Sequence, residues 1–262
     1  MIKAKKSLGQ NFLIDQNIIH KIVNIVEVKD KNILEIGPGT GNLTKEILKK
    51  EPNKFLAIEK DHVLVKLLKK KFDSNIKIIN EDVLKVDEDH LSDKILNVYG
   101  NLPYNISTEI LIKWILNMNK KKIWFNYLIL MFQKEVADRI VSEYNTKNYG
   151  RLTILANWKL QIKKICDIKP EAFIPKPKVE STLLLFTPKQ KFFKFKDPKS
   201  LEKVTRVFFN HRRKMLKKPY NQLFDGNKKI LEKLKINLNL RPQNLDFDTY
   251  YKLAIEFEEL RS

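Results

Sequence analysis

A chain of 262 residues, 43% apolar with 15 Phe and 8 Tyr, can bury one large core and carry a small appendage. It has no apolar run of about 18 residues to span a bilayer and no apolar stretch behind its basic start (Met1 to Ser7) to act as a secretory signal. Its one cysteine, Cys166, excludes an internal disulfide or paired-cysteine zinc site and fits a cytoplasmic setting, while a net charge of +20, from 51 Lys+Arg against 31 Asp+Glu, predicts a polyanionic partner and salt-sensitive binding.

Gln16 to Val26 sets Ile18, Ile19, Ile22, Val23 and Val26 on one face of a 3.6-residue period, which predicts an amphipathic helix. Short apolar runs then alternate with helical segments. Strands are expected at Asn32–Ile36, Lys54–Ile58, Ile76–Ile79, Ile95–Tyr99 and Tyr127–Phe132, with helices at Leu43–Lys50, His62–Phe72 and Ile106–Leu116. This order reads as a parallel sheet with helices on both faces. Leu160–Ile165 and Val179–Phe186 are two further strand-like runs, joined by a Pro-rich loop and able to pair antiparallel at the sheet edge. Beyond Pro188 the chain turns helical, at Leu201–Phe209, Lys228–Leu234 and Thr249–Leu260. The expected division is a first domain over 1–190 and a small helical domain over 191–262.

The first strand runs into Glu35-Ile-Gly37-Pro-Gly39-Thr-Gly41, a turn whose glycines permit tight φ angles and close approach of a ligand. A dinucleotide site would prefer G-x-G-x-x-G, but Asn42 stands where its third glycine belongs. Two acids follow in order. Glu59 closes the second strand, where a carboxylate can accept from both hydroxyls of a ribose, and Asp82 lies past the third strand, where it can accept an adenine amine. Either could instead face solvent or cap a turn; their order behind the glycine turn favours the ligand roles. Glu35 could orient the glycine loop or approach an amine through water.

Asn101-Leu-Pro-Tyr104 follows the fourth strand. The Asn101 side-chain oxygen and a backbone carbonyl of Leu102 or Pro103 can hold both hydrogens of a planar amine. Such an amine is a poor nucleophile because its lone pair is delocalised, so alignment matters more than a strong base. Pro103 stiffens the turn, and Tyr104 offers a face on which an extruded base can stack. Between the last two strand-like runs, Phe173 could form the opposite wall of a base pocket, or simply fill the core. Cys166 has no neighbour in sequence to activate it, and no metal site is expected.

With these motifs together, the chain resembles the ribosomal RNA adenine dimethyltransferase family, in particular its members acting on the small subunit. The resemblance spans nearly the whole sequence: Gly9-Gln-Asn-Phe-Leu13, the Glu35 to Gly41 turn, Glu59, Asp82, Asn101 to Tyr104, Phe173 to Ser181, Phe209-Asn-His-Arg-Arg-Lys214 and Arg241-Pro. It implies a Rossmann-like class I methyltransferase with a mostly parallel seven-stranded sheet and a small all-helical C-terminal domain. It implies S-adenosylmethionine as methyl donor and S-adenosylhomocysteine as product. Gln10 and Asn11 would contact the methionine part, Gly37, Gly39 and Gly41 would embrace the cofactor, Glu59 would hold its ribose and Asp82 its adenine. Leu13, Glu35, Lys60, Val83 and Asn101 complete that set, and Asn101, Leu102, Pro103, Tyr104 and Phe173 would serve the target base.

The implied substrate is a pair of adjacent adenosines in the 3′-terminal hairpin of small-subunit (16S) rRNA, each dimethylated within an assembling 30S subunit by an enzyme that is monomeric in solution. Between Lys189 and Lys218 twelve Lys+Arg stand against two acids. Here Arg212, Arg213 and Lys214, with Arg206 and His211, would grip phosphates with little regard to sequence. Two other readings stay open: a methyltransferase of large-subunit rRNA like the erythromycin-resistance enzymes, and a non-catalytic RNA-binding assembly or transcription factor on the same scaffold.

Overall fold

The computed structural model describes residues 4–5, 8–118 and 123–261, so most of the basic start lies outside the described residues. The chain divides into two compact units. The first comprises residues 1–113, 121–137 and 162–188; the second comprises 114–120, 138–161 and 189–262. The unit that holds the C-terminal helices therefore also draws in the stretch before residue 162, which the sequence reading assigned to the 1–190 domain.

After a two-residue strand β1 (Phe12–Leu13) and helix α1 (Gln16–Val23), the first unit builds its sheet. β2 (Asn32–Ile36), β3 (Lys54–Ile58), β4 (Lys77–Ile79), β5 (Leu96–Asn101) and β6 (Phe125–Gln133) are parallel neighbours. β9 (Ser181–Pro188) lies antiparallel to β6, and β7 (Leu160–Ile168) is the edge beyond it. The order β4-β3-β2-β5-β6-β9-β7 is the mixed, mostly parallel seven-stranded sheet expected. Alternate strand residues explain one core: Ile33, Phe55, Ala57, Tyr99, Ile129 and Met131 pack with Ile19, Ile22 and Val23 of α1 and with Leu43 and Ile47 of α2 (Asn42–Leu48).

Strand register decides where the chemistry can sit. Ile36 pairs with Ile58 and with Gly100, and Ile58 pairs with Ile79. β2, β3 and β4 thus end level with Gly100 of β5, so Gly37, Glu59 and Asn80 leave the sheet beside Asn101, the last residue of β5 and the partner of Met131. Because the chain steps from β2 toward β3 on one side and returns as β5 on the other, the crevice opens at their carboxyl ends. α3 (His62–Phe72) begins there, capped by the Asp61 side chain on Val63 N–H.

β1 pairs antiparallel with β8 (Phe173–Ile174), a ribbon the sequence reading did not anticipate because two-residue strands carry no period. Also unanticipated were α5 (Lys134–Ile140), α6 (Arg151–Lys159) and α8 (Lys217–Phe224). α6 is buried nearly all round, from Thr153 to Ala156 and again at Trp158 and Lys159, so it shows no amphipathic face to read.

In the second unit α7 (Lys199–Asn210) packs on α6, on α8 and on α10 (Phe247–Glu259); α9 (Lys228–Leu234) also meets α10. Aromatic rings fill it; the Tyr250 hydroxyl donates to the Pro242 carbonyl and that of Tyr251 to the Ile154 carbonyl. Lys159 is fully buried there, donating to the Ile115 carbonyl at 2.7 Å with its ammonium 3.8 Å from the Trp158 ring centre. Burial pushes its pKa down to about 7. None of the described helices is long and apolar enough to cross a membrane.

Gly41 precedes α2 at φ 79°, and a Cβ there would meet the Phe72 ring at 2.5 Å. Gly226 has φ 69°, but a Cβ there would come no closer than 3.6 Å to Asn221. Gly41→Ala should therefore combine backbone strain with a clash and cost at least about 2 kcal/mol, against about 1 kcal/mol for Gly226→Ala. Urea unfolding of the two variants checks the difference; equal losses would contradict the packing role.

Candidate active site

The level strand ends open onto one cavity. It is lined by Gln10, Asn11 and Leu13 from the N-terminal segment, Glu35, Gly37 and Gly39 from the first turn, and Glu59, Lys60, Asp82 and Val83 from the next two strand ends. Asn101, Leu102, Pro103 and Tyr104 line it from the end of β5. Of the residues expected to bind cofactor, Gly41 alone is not on the lining: it underlies the loop against Phe72. Gly39, at φ 59°, faces the Phe12 ring so closely that a Cβ would lie 2.8 Å from it.

Two buried carboxyls dominate the electrostatics. Glu35 accepts the Thr44 hydroxyl at 2.6 Å and is 2% exposed. Its burial, only partly offset by Thr44 and reinforced by the nearby Glu59, pushes its pKa up to about 8. Glu59 is also raised by burial, against which the N–H groups of Asp61 (2.8 Å) and Gly39 (3.3 Å) donate to its two oxygens. Asp82 is lowered, first by Lys60, whose ammonium lies 2.8 Å away, and its other oxygen accepts Leu84 N–H.

Asp61 is a residue that sequence reasoning missed. Burial alone would raise it, but Lys5 at 2.8 Å, Gln10 at 3.0 Å and Val63 N–H together hold it below the usual range. Gln10 thus reaches the site by bonding Asp61, whose own N–H holds Glu59. An Asp before a helical period is a legible cap signal; its ties to Lys5 and Gln10, more than fifty residues away, are not.

At the other end, the Asn101 side-chain N–H donates to the Asn11 carbonyl at 2.7 Å. That bond turns the amide so that Oδ1 remains the acceptor. The Pro103 carbonyl is taken by Ile106 N–H, so Leu102 has the freer carbonyl. Tyr104 and Ser181 share a hydrogen bond of 2.5 Å between their hydroxyls, and burial raises the Tyr104 pKa against this contact. Ser181 is a second missed residue: β9 runs antiparallel and starts opposite Gln133, which brings it back to the carboxyl end of the sheet.

Phe173 is not among the residues lining the cavity: it is 2% exposed, shares a core cluster with Leu13, Ile168 and Ala172, and pairs with Leu13 in the β1–β8 ribbon. Arg206, His211, Arg212, Arg213 and Lys214 belong to the second unit. Arg206, Arg213 and Lys214 are exposed, while Arg212 is half-buried and donates to the Lys147 carbonyl. His211 caps the end of α7. Among the described residues, no group of three His, Cys, Asp or Glu side chains is placed to hold a metal.

The raised Glu35 has a consequence for stability. The native carboxyl keeps its proton up to about pH 8, whereas an ordinary glutamate loses it near 4.5, so the native state binds the extra proton between those limits. Stability from this group is present below 4.5 and falls as pH rises through the window. Glu35→Gln should flatten that fall, as measured by thermal denaturation without added ligand; an unchanged pH profile would contradict the assignment.

Comparison with known proteins gives a consistent picture. Residues 1–259 match the family model described as ribosomal RNA adenine dimethylase. The chain is 64% identical over 260 residues to the ribosomal RNA small subunit methyltransferase A of Pelagibacter ubique (strain HTCC1062), covering 99% of both chains. The crystal structure of a dimethyladenosine transferase from Plasmodium falciparum superposes with a TM-score of 0.80 at 28% identity, over 95% of this chain and 98% of that one. The 23S rRNA methyltransferase ErmE shares the fold, with a TM-score of 0.67 at 21% identity over 96% of this chain and all of that one.

Proposed function

Since the chain belongs to the ribosomal RNA adenine dimethylase family, we propose that it dimethylates two adjacent adenosines in the 3′-terminal hairpin of 16S rRNA, during late assembly of the small subunit. S-adenosylmethionine is the donor in this reading and S-adenosylhomocysteine the product. The enzyme acts in the cytoplasm as a monomer, with the assembling 30S particle as its partner. The observation that carries the reading is the Asn101 oxygen, held outward by the Asn11 carbonyl in the same cavity as the glycine turn and two buried carboxyls.

The residues fit the donor. A sulfonium ligand with an ammonium group matches a cavity walled by Glu35 and Glu59, and the glycine turn supplies backbone without side chains in the way. In this assignment Glu59 accepts the ribose hydroxyls, Asp82 and Val83 meet the adenine, and Glu35 faces the ammonium end. Leu13, Lys60, Gln10 and Asn11 complete the wall. When bound, the donor supplies an electrophilic methyl group.

Asn101 Oδ1 and the Leu102 carbonyl each accept one hydrogen of the target amine. This orients the nitrogen lone pair out of the ring plane, where it can attack, and the gain is alignment with preorganised dipoles. Pro103 keeps the two acceptors in register, and Tyr104, steadied by Ser181, provides the stacking face for a base drawn out of its stack. As the methyl leaves the sulfonium for the nitrogen, the amine becomes cationic and loses one proton to solvent; one amine hydrogen then remains, so a single acceptor suffices for the second transfer.

The exposed Arg206, Arg213 and Lys214, with His211 and Arg212, supply phosphate contacts. Labelled-methyl transfer to unmodified small and large subunits, followed by mapping of the modified adenines, tests the substrate. Transfer to the small-subunit hairpin is expected, and transfer to the large subunit alone would sink the assignment. Asn101→Ala should slow transfer at least about a hundredfold while changing RNA retention less than about threefold; similar losses in both would contradict its role.

Replacing Arg212, Arg213 and Lys214 by Ala should instead weaken RNA binding and lower its salt slope by about two, since Arg212 is partly engaged with Lys147. A filter-binding titration across salt concentrations measures this, and an unchanged slope would remove the cluster from the interface.

A further inference from the structure

One exposed apolar feature lies beside the cavity and has no part in the chemistry described so far. In the turn over residues 174–180, Ile174 is 58% exposed and Val179 45% exposed. Both are β-branched and stiff, and Pro175 and Pro177 limit the backbone between them. Held on so stiff a turn, these exposed side chains can pack against a partner with little further loss of freedom.

The turn is anchored to the cavity at both ends. At its start, the β1–β8 ribbon pairs Leu13 with Phe173 on the core face and Phe12 with Ile174 on the other face. The Phe12 ring lines the cavity and closes on Gly39, so Ile174 extends the same surface outward from the cavity wall. At its end, Val179 stands two residues before Ser181, whose hydroxyl holds Tyr104 on the acceptor side. Lys169, Lys176 and Lys178 are exposed around it against Glu171, which pairs with Lys176, and the exposed Glu180, so the turn keeps an excess of positive charge. An apolar tip flanked by Lys169 and Lys178, on the same ribbon as a residue lining the cavity, matches a stacked polyanion better than an apolar protein surface.

Resting on the function assigned above, we propose that this turn is an RNA wedge: Ile174 and Val179 press on the base stack beside the target adenosine and fill the gap left when that base turns into the cavity. Apolar wedges are the general means by which proteins unstack a base step, and a base undergoing chemistry must leave its stack. The lysines hold the flanking phosphates while the two side chains replace the lost stacking contact.

The test uses the full chain and an RNA hairpin with 2-aminopurine at the target position, whose fluorescence rises on unstacking. The double variant Ile174→Ser, Val179→Ser should lose most of that rise and transfer methyl groups to the normal hairpin about tenfold more slowly. Cofactor binding by calorimetry should be unchanged. On a hairpin with an abasic site next to the target, where the stack is already broken, the variant should recover to within about twofold of the parent. Ile174→Leu with Val179→Ile should behave like the parent. Normal flipping by the serine variant, an equal loss on both hairpins, or weakened cofactor binding would each overturn the wedge. If the parent itself transfers no methyl to the small-subunit hairpin, the function assigned above fails, while the 2-aminopurine signal still decides the wedge.

Discussion

The register of four parallel strands at their carboxyl ends is the constraint on which the rest of this molecule depends. Ile36, Ile58, Ile79 and Gly100 stand in register across β4, β3, β2 and β5, held by main-chain hydrogen bonds that continue past the strands: Gly37 N–H to Ile58 and Glu59 N–H to Ile79. A slip of one residue in any pair would invert the faces of a strand, sending Glu35 or Asn101 to the wrong side of the sheet. The site therefore inherits its precision from backbone pairing. Strand-end residues placed this way lose little further entropy when a ligand arrives.

On that frame the N-terminal segment ties two half-sites together. Through Gln10 and Lys5 it reaches Asp61, whose N–H holds Glu59; through the Asn11 carbonyl it sets the orientation of Asn101. The β1–β8 ribbon and the bond from Asn42 to the Leu13 carbonyl fix the segment between those points. Buried hydrogen bonds contribute only about 1 kcal/mol each to stability, but losing one partner leaves a buried polar group unsatisfied at a larger cost. The segment thus does more for the geometry of the cavity than its length suggests.

The two buried carboxyls and the longest basic stretch belong to different compact units. The first holds two carboxyls whose burial is unfavourable unless a cationic ligand joins them, a cost a methyl-donor sulfonium with an ammonium group would offset. The second carries the basic stretch from Lys189 to Lys218 on a core of aromatic side chains, several with hydroxyls bonded to carbonyls. Phosphate contacts made by such a stretch would weaken with salt, whereas the hydrogen-bonded orientation of Asn101 would not.

The sequence by itself determined the glycine turn, the acids closing β3 and following β4, and Asn101 to Tyr104, because each lies at the junction of a local apolar run and a loop, where residue type and spacing suffice. Periodicity also placed most of the strand-like runs and the helical end, while the seven-stranded class I sheet was implied by the family resemblance. What only the tertiary structure decided rests on partners far apart in the chain: the bonds of Asp61 to Lys5 and Gln10, of Asn101 to Asn11 and of Tyr104 to Ser181. Phe173 shows the limit most clearly. Its ring suits a pocket wall and a core equally well, and its place off the cavity lining, in a buried cluster with Leu13, Ile168 and Ala172, is visible only in three dimensions. Helix α6 was hidden for a related reason, since a segment buried on every side has no polar face to set its period. Local pattern encodes what a residue is able to do; the direction it faces is settled by the strand, ribbon or helix packed against it.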